Sequence, residues 1–477
     1  MTSAPLHASD YTWSGPSNTS YDTATNWTVG GSPATVPPGA GDNFTVSTNT
    51  VINLGNSDYS INNITNSQTL QLNYVAATPI TYNILGSIYD QLGTLSFRGQ
   101  YLTVNLSGNA YISTGAGLFF GAGASGYTPV ATVSQSHNSS IIFASSGSAL
   151  ASNLLFNSAA NYNVGTLDFG SWTNTKYVYL DANAIGQTSS SAPIIATVGG
   201  LSGSSGSIQI YGAQDLSTSG SALHGAHYVT LNISNTADYA TTAVMADYVT
   251  GSAGAMTNAY TNSVLSVTKT GTGTQKFSGA STYSGGTTVQ QGRLVVNNTT
   301  GSGTGTGAVT VSNGATLAGT GIIAPTAGNN VTINGTLAPG DTTGTLTFNL
   351  SSGSKLAFGS GSTLSLTLDT ASSSVAFSSA GDWLTGSGNV SLSLSLGTGF
   401  SYSNTYNIFT GVTTTGFTFA SITGYDTSSY TANVTQSGTA YTLSFSAVPE
   451  PSTYAFLIGG LALFVLSRRR MAATFQD

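Results

Sequence analysis

AVTVSNGATLAGTG (residues 308–321) is followed a few residues later by NVTINGTLAPG (330–340). In each stretch an apolar pair precedes Asn-Gly, and Thr-Leu-Ala comes after it. Asn-Gly favours a tight turn with positive φ, so both stretches read as strand–turn–strand. A unit this short cannot bury its own apolar face, and it must stack on a neighbour of the same shape. The two stretches therefore predict successive rungs of a β-solenoid.

The same grammar extends in both directions. QLGTLSFRGQYLTVNLSGNAYISTGAG (91–117) alternates apolar and polar residues, and SLSLSLGTGF (391–400), TYNIFTG (405–411) and AYTLSFSA (440–447) are further strand-like runs. Strands recur about every 8–12 residues, a spacing that suits a sandwich, a barrel or a solenoid. Length favours the solenoid, because a sandwich rarely needs a chain of 477 residues whereas a solenoid grows by adding rungs. The fold class expected is all-β: a right-handed parallel β-helix with a C-terminal β cap and a short C-terminal hydrophobic helix.

Composition agrees and narrows the function. Only 5% of residues are charged, against about 25% in an ordinary soluble domain. With 59 Gly the chain could be disordered, but 24 Tyr and 19 Phe among Val, Ile, Leu and Thr argue for β-structure. Before the tail the basic residues are Arg98, Lys176, Lys269, Lys276, Arg293 and Lys355. They are too scattered for a nucleic-acid footprint. The absence of Cys removes disulfides, thiol catalysis and Cys-ligated zinc together.

The chain divides into five parts. Residues 1–12 read as a remnant of an export signal or an unstructured start. An N-terminal solenoid follows at 13–263, then a repeat region at 264–350, a C-terminal β region at 351–447 that caps the solenoid or forms a small sandwich, and a tail at 448–477. Within the repeat region stand Lys269-Thr270-Gly271, Phe277-Ser278-Gly279, Tyr283-Ser284-Gly285-Gly286-Thr287-Thr288 and Gly292-Arg293-Leu294. Leu337-Ala338-Pro339-Gly340 comes after them. In this order they resemble the autotransporter-associated β-strand repeat of passenger regions in large bacterial surface proteins. The resemblance implies a right-handed parallel β-helix. Trp13, Asn26-Trp27, Val36-Pro37 and Gly41-Asp42 are similar to the opening of many such proteins.

The tail has three parts: Val448-Pro449-Glu450-Pro451-Ser452, an apolar stretch expected to be helical over 454–467, and Arg468-Arg469-Arg470. Glu450 is the only Glu in the chain. The run Tyr454–Leu466 would span about 20 Å as a helix, short of the roughly 30 Å of a bilayer core. The arginines would stay on the cytoplasmic side and leave the polar body outside. The two prolines present extended, accessible backbone beside the membrane. This order resembles the PEP-CTERM sorting signal of Gram-negative bacteria. The resemblance implies recognition by an exosortase, transient anchoring in the inner membrane, removal of the tail near Pro-Glu-Pro, and release to the cell surface or the extracellular matrix.

Enzymatic alternatives are thin in the sequence. Glycosidases need two carboxylates about 5–10 Å apart, and the body offers only scattered Asp. Asp168 and Asp181, with Lys176 between them, would have to meet on neighbouring turns. Capping of Gly- and Asn-rich turns is the plainer role for such Asp. His224 and His227 form the only His pair, with Asp215 and Asp238 as the nearest acids, and no third ligand is evident. No catalytic residue, metal or cofactor is expected. The expected role is structural and non-enzymatic, with carbohydrate binding or adhesion as the alternative and a lyase or hydrolase behind it. Extracellular polysaccharide is the expected partner outside the cell, and nucleic acid is not.

Overall fold

The computed structural model describes residues 8–99, 101–113, 116–120, 132–135, 140–143, 152–156, 162–170, 175–182, 193–204, 207–214, 227–248, 263–449 and 459–467. The chain winds as a parallel β-solenoid. Among the described residues its strands collect into sheets of 21, 9, 8 and 6 members, in which most neighbours come from successive turns. Ile80–Ile84 pairs with Leu102–Leu106 in parallel register from Ile80↔Leu102 to Ile84↔Leu106. Ile88–Asp90 pairs with Ala110–Ile112, and Gly93–Arg98 with Ala116–Phe120. Three strands thus make one turn in this part of the rod. Further along, Tyr162–Asp168 pairs with both Thr132–Gln135 and Ser140–Phe143, so one long strand takes over from two short ones.

The two aligned stretches are adjacent turns. Val309, Thr310 and Val311 lie beside Val331, Thr332 and Ile333, and Thr316, Leu317 and Ala318 lie beside Thr336, Leu337 and Ala338. Their turns differ in detail. At Asn313-Gly314 the expected geometry holds, with Gly314 at φ 80° and Ala315 N–H donating to Ser312 O at 3.0 Å. Gly335 does not adopt a positive φ. It is needed for another reason: a Cβ there would lie 2.3 Å from Ser312 O and 2.4 Å from Ala315 O of the preceding turn.

Alternation fills the core. Strands such as Ser362–Leu368 bury every second residue, and the inward side chains stack turn on turn. Leu294, Leu317, Leu337, Leu364 and Leu392 form one such ladder, each fully buried. In the N-terminal half another ladder, in the 9-stranded sheet, is aromatic. Phe97 stacks on Phe120 at 5.6 Å and Phe120 on Phe156 at 5.4 Å, and Tyr162, from the strand that follows Phe156 in the chain, stacks on Phe156 at 4.3 Å between ring centroids. Burial of each large apolar side chain contributes about 1.5–3 kcal/mol, which favours one register of stacking.

Both ends of the rod switch to antiparallel pairing. At the start, Asp10–Trp13 runs antiparallel to Trp27–Val29, which runs antiparallel to Ser32–Pro33. At the far end the parallel turns continue through Tyr406–Val412 and Ser421–Thr423, and the other edge of Tyr406–Val412 then pairs antiparallel with Ala440–Ala447. Ala440–Ala447 in turn forms a hairpin with Tyr430–Ser437. Aromatic clusters plug these ends: Trp27 with Trp13, Tyr21 and Phe44 at one, and Phe409 with Phe417, Phe419 and Tyr441 at the other. An antiparallel hairpin with an aromatic plug closes the apolar bore and interrupts the ladder that an open end would offer to another rod.

Candidate functional site

The repeat motif spans two successive turns, Ser263–Lys269 with Thr274–Phe277 and, stacked on them, Thr287–Val289 with Arg293–Val296. Its motif residues lock these turns to each other and to the next. Tyr283 is fully buried, with its hydroxyl 2.6 Å from Thr287 Oγ1, and Thr287 Oγ1 donates to Thr304 O on the next turn at 2.9 Å. Because Thr287 spends its proton on Thr304, the tyrosine hydroxyl donates to Thr287. Gly286 between them sits at φ 88°. Tyr283→Phe removes one hydrogen bond from this relay and leaves Thr287 bonded to Thr304. It is expected to cost about 1 kcal/mol, read as a small fall in the urea midpoint with unchanged circular dichroism.

Lys269 points into the core and is 1% exposed, with Nζ donating to Gly271 O. Burial pushes its ammonium down to about 8, against the opposing pull of Asp238. On the outside of these two turns, Lys276 pairs with Asp341, and Arg293 Nη2 donates to Gly340 O at 3.3 Å and Asp341 O at 3.2 Å. Val295 and Ala318, on the outward side of their strands, are nevertheless fully buried. These contacts hold turns together; none of them brings an acid, a base and a nucleophile to one point.

The tail begins where the body ends. Ala440–Ala447 is the closing strand, and Val448 N–H donates to Ser429 O at 2.8 Å just beyond it. Pro449 has no N–H to continue the pattern. Glu450, Pro451 and Ser452, and Arg468, Arg469 and Arg470, lie outside the described residues. Of the expected helix 454–467, the part over 459–467 is described and is helical, with every residue exposed, including Leu461, Leu463 and Phe464. Among the described residues no helix is long and apolar enough to cross a membrane.

The weighed Asp pair does not sit on neighbouring turns. Asp168 and Asp181 belong to consecutive strands of one turn, Tyr162–Asp168 in the 21-stranded sheet and Lys176–Ala182 in the 9-stranded sheet. The lengths of the intervening loops, not the residue count, set where the turn closes. Asp168 Oδ1 accepts from Gly170 N–H at 3.0 Å and from Ser202 Oγ at 2.8 Å, so it caps a turn and ties two turns together. The Asp181 side chain lies outside the described residues, and Lys176 is buried. His224 and Asp215 also lie outside them, and His227 opens the strand His227–Ile233. Asp238 is at the surface, where the Thr274 N–H at 2.7 Å holds its carboxyl below the usual range. Among the described residues no group of three or more His, Cys, Asp and Glu could hold a metal ion.

Two features escaped the sequence reading. One is an open polar cleft of about 540 Å³ near the C-terminal cap, lined by Asp369, Ser372, Ser374, Asn404, Tyr406 and Asn407 among others. Nothing local marks it, because its walls come from the ends of two successive turns. The other is Asp90, a fully buried carboxyl on the inward side of Ile88–Asp90. The alternation Ile88-Tyr89-Asp90 was the signal available for it.

No curated protein matches the chain. Residues 267–296 match the passenger-associated transport repeat, which bears out the repeat read from the motifs of those turns and points to an exported, passenger-like surface protein.

Proposed function

We propose that this protein is an exported, non-enzymatic structural rod of the cell surface or extracellular matrix, routed there by a C-terminal PEP-CTERM signal that an exosortase removes. The observation that carries the reading is the junction at Val448. The last backbone hydrogen bond of the capping hairpin is made there, and the apolar helix beyond it leaves every described side chain exposed. A tail of that kind can be cut away without disturbing the core. The rod itself suits a hydrated polymer matrix, since it carries few charges and many outward hydroxyls and amides. The turn-capping role of Asp168 favours structure over catalysis.

A second reading, binding of extracellular polysaccharide, is favoured by the polar cleft beside Asp369 and Asn404. Such a cleft offers hydrogen-bond donors and acceptors of the kind that sugar hydroxyls need.

Intact-mass spectrometry of the protein from surface and medium fractions tests the first reading. The expected species ends between Val448 and Ser452. Recovery of a chain that keeps Arg468–Arg470 in the membrane fraction would replace the sorting signal with a plain anchor. Retention on purified polysaccharide from the same cells, lost on Asn404→Ala and Asn407→Ala together, would establish the second.

A further inference from the structure

Three buried asparagines stand at corners of the solenoid, and each donates through Nδ2 to the carbonyl two residues ahead. Asn66 donates to Gln68 O at 2.6 Å, Asn235 to Ala237 O at 2.6 Å and Asn298 to Thr300 O at 2.9 Å. Asp90 lies beside Asn66 in register, on the next turn, and is just as buried. The carbonyl two residues ahead of it is Leu92 O. An ionised aspartate has no hydrogen to give that carbonyl.

The hydrogen count at this corner falls one short. Asn66 Nδ2 faces Gln68 O at 2.6 Å, Asp90 Oδ1 at 2.8 Å and Leu92 O at 3.5 Å, three oxygens for two protons. Asp90 Oδ2 makes no hydrogen bond of normal length and angle. A proton on the carboxyl supplies the missing hydrogen and removes a buried charge, and burying an unpaired charge is costly.

We propose that Asp90 is a proton-operated latch in the N-terminal half of the rod: the corner from Asp90 to Leu95 is fully closed only while the carboxyl carries a proton. Among the described residues, the strands packed against it supply no compensating cation. Ile64–Asn66, Leu70–Asn73, Ala110–Ile112 and Ala116–Phe120 contain no Lys, Arg, His or Glu, and their one titratable group is Tyr111. On the same turn, Tyr89 points outward and Arg98 lies at the end of Gly93–Arg98. Burial pushes the Asp90 carboxyl up to about 8, against the opposing pull of Asn66 and the N–H groups of Leu95 and Gly117. The folded pKa thus lies above the ordinary value near 3.9. The closed corner holds a proton that the open corner releases, so the latch is strong at low pH and weakens as pH rises toward 8.

Hydrogen exchange of the full chain, followed by mass spectrometry at pH 5 and pH 7 and corrected for intrinsic exchange, tests this. The opening equilibrium of peptides covering 88–98 is expected to rise about tenfold per pH unit, roughly a hundredfold over the interval. Peptides around the Asn235 corner should not change. In Asp90→Asn, which restores the amide of the other corners, the pH step should vanish and protection at pH 7 should exceed wild type. A wild-type profile that is flat between pH 5 and 7 overturns the latch without need of any variant. So does an equal step at the Asn235 corner, or a step that persists in Asp90→Asn.

Discussion

Trp27→Ala is expected to lower the stability of the rod by about 3–5 kcal/mol and to turn a dispersed protein into one that associates end to end. The indole is fully buried and lies edge-on to Trp13 at 4.8 Å, Tyr21 at 5.0 Å and Phe44 at 5.4 Å. Its Nε1–H donates to Tyr21 O at 2.8 Å. Alanine leaves a void bounded by three rings and a carbonyl without its donor, and the antiparallel strand Trp27–Val29 loses what holds it across the end of the bore. Freed of that cap, Asp10–Trp13, which Trp27–Val29 covers on one side and which lies parallel to Asn43–Val46 on the other, presents unpaired N–H and C=O groups to a second rod. A fall in the urea midpoint, together with concentration-dependent light scattering, is the expected pair of readouts. A variant that unfolds at the wild-type midpoint and stays monodisperse would mean that the aromatic plug is not what closes the rod.

Gly271→Ala is expected to be strongly destabilising although it adds a single carbon. A Cβ at Gly271 would lie 1.9 Å from Asn235 O and 2.4 Å from Asn235 N, both main-chain atoms of the turn below. Neither can rotate away, so two turns must separate. Overpacking costs typically about 1–3 kcal/mol and occasionally more, and backbone on both sides places this case at or above the upper end. Gly271 O is also the acceptor for the buried Lys269 ammonium, so displacement of the turn strands a charge as well. Equilibrium unfolding in urea, with protease digestion as a local probe, should show a lower midpoint and new cleavage near 269–274. An unchanged midpoint would show that the turns can spread at no cost.

The alternating patterns and the repeat at 308–340 were legible because they are local. Side chains on a strand point to opposite faces with period two, so Leu364, Leu366 and Leu368 declare their inward face wherever the strand ends up. The Asn-Gly pair at 313–314 likewise declared its turn through the backbone freedom of a single glycine. Legibility stopped where a contact depended on how far the chain had travelled between strands. Asp168 and Asp181 looked like candidates for neighbouring turns and fall within one. Gly335 looked like a turn glycine and is a contact glycine.

By itself, then, the sequence determined the all-β class, the stacked turns of the repeat and the faces of the strands. Only the tertiary structure decided which turn lies on which, that both ends are closed by antiparallel strands, and that Asp90 stands one hydrogen short beside Asn66. The reason is the unequal length of the loops. Ile80 meets Leu102 on the next turn, whereas Val229 is what meets Ile194, and no spacing in the linear chain carries that difference. Side-chain alternation is fixed residue by residue; the meeting of turns is settled by the packing of the whole core.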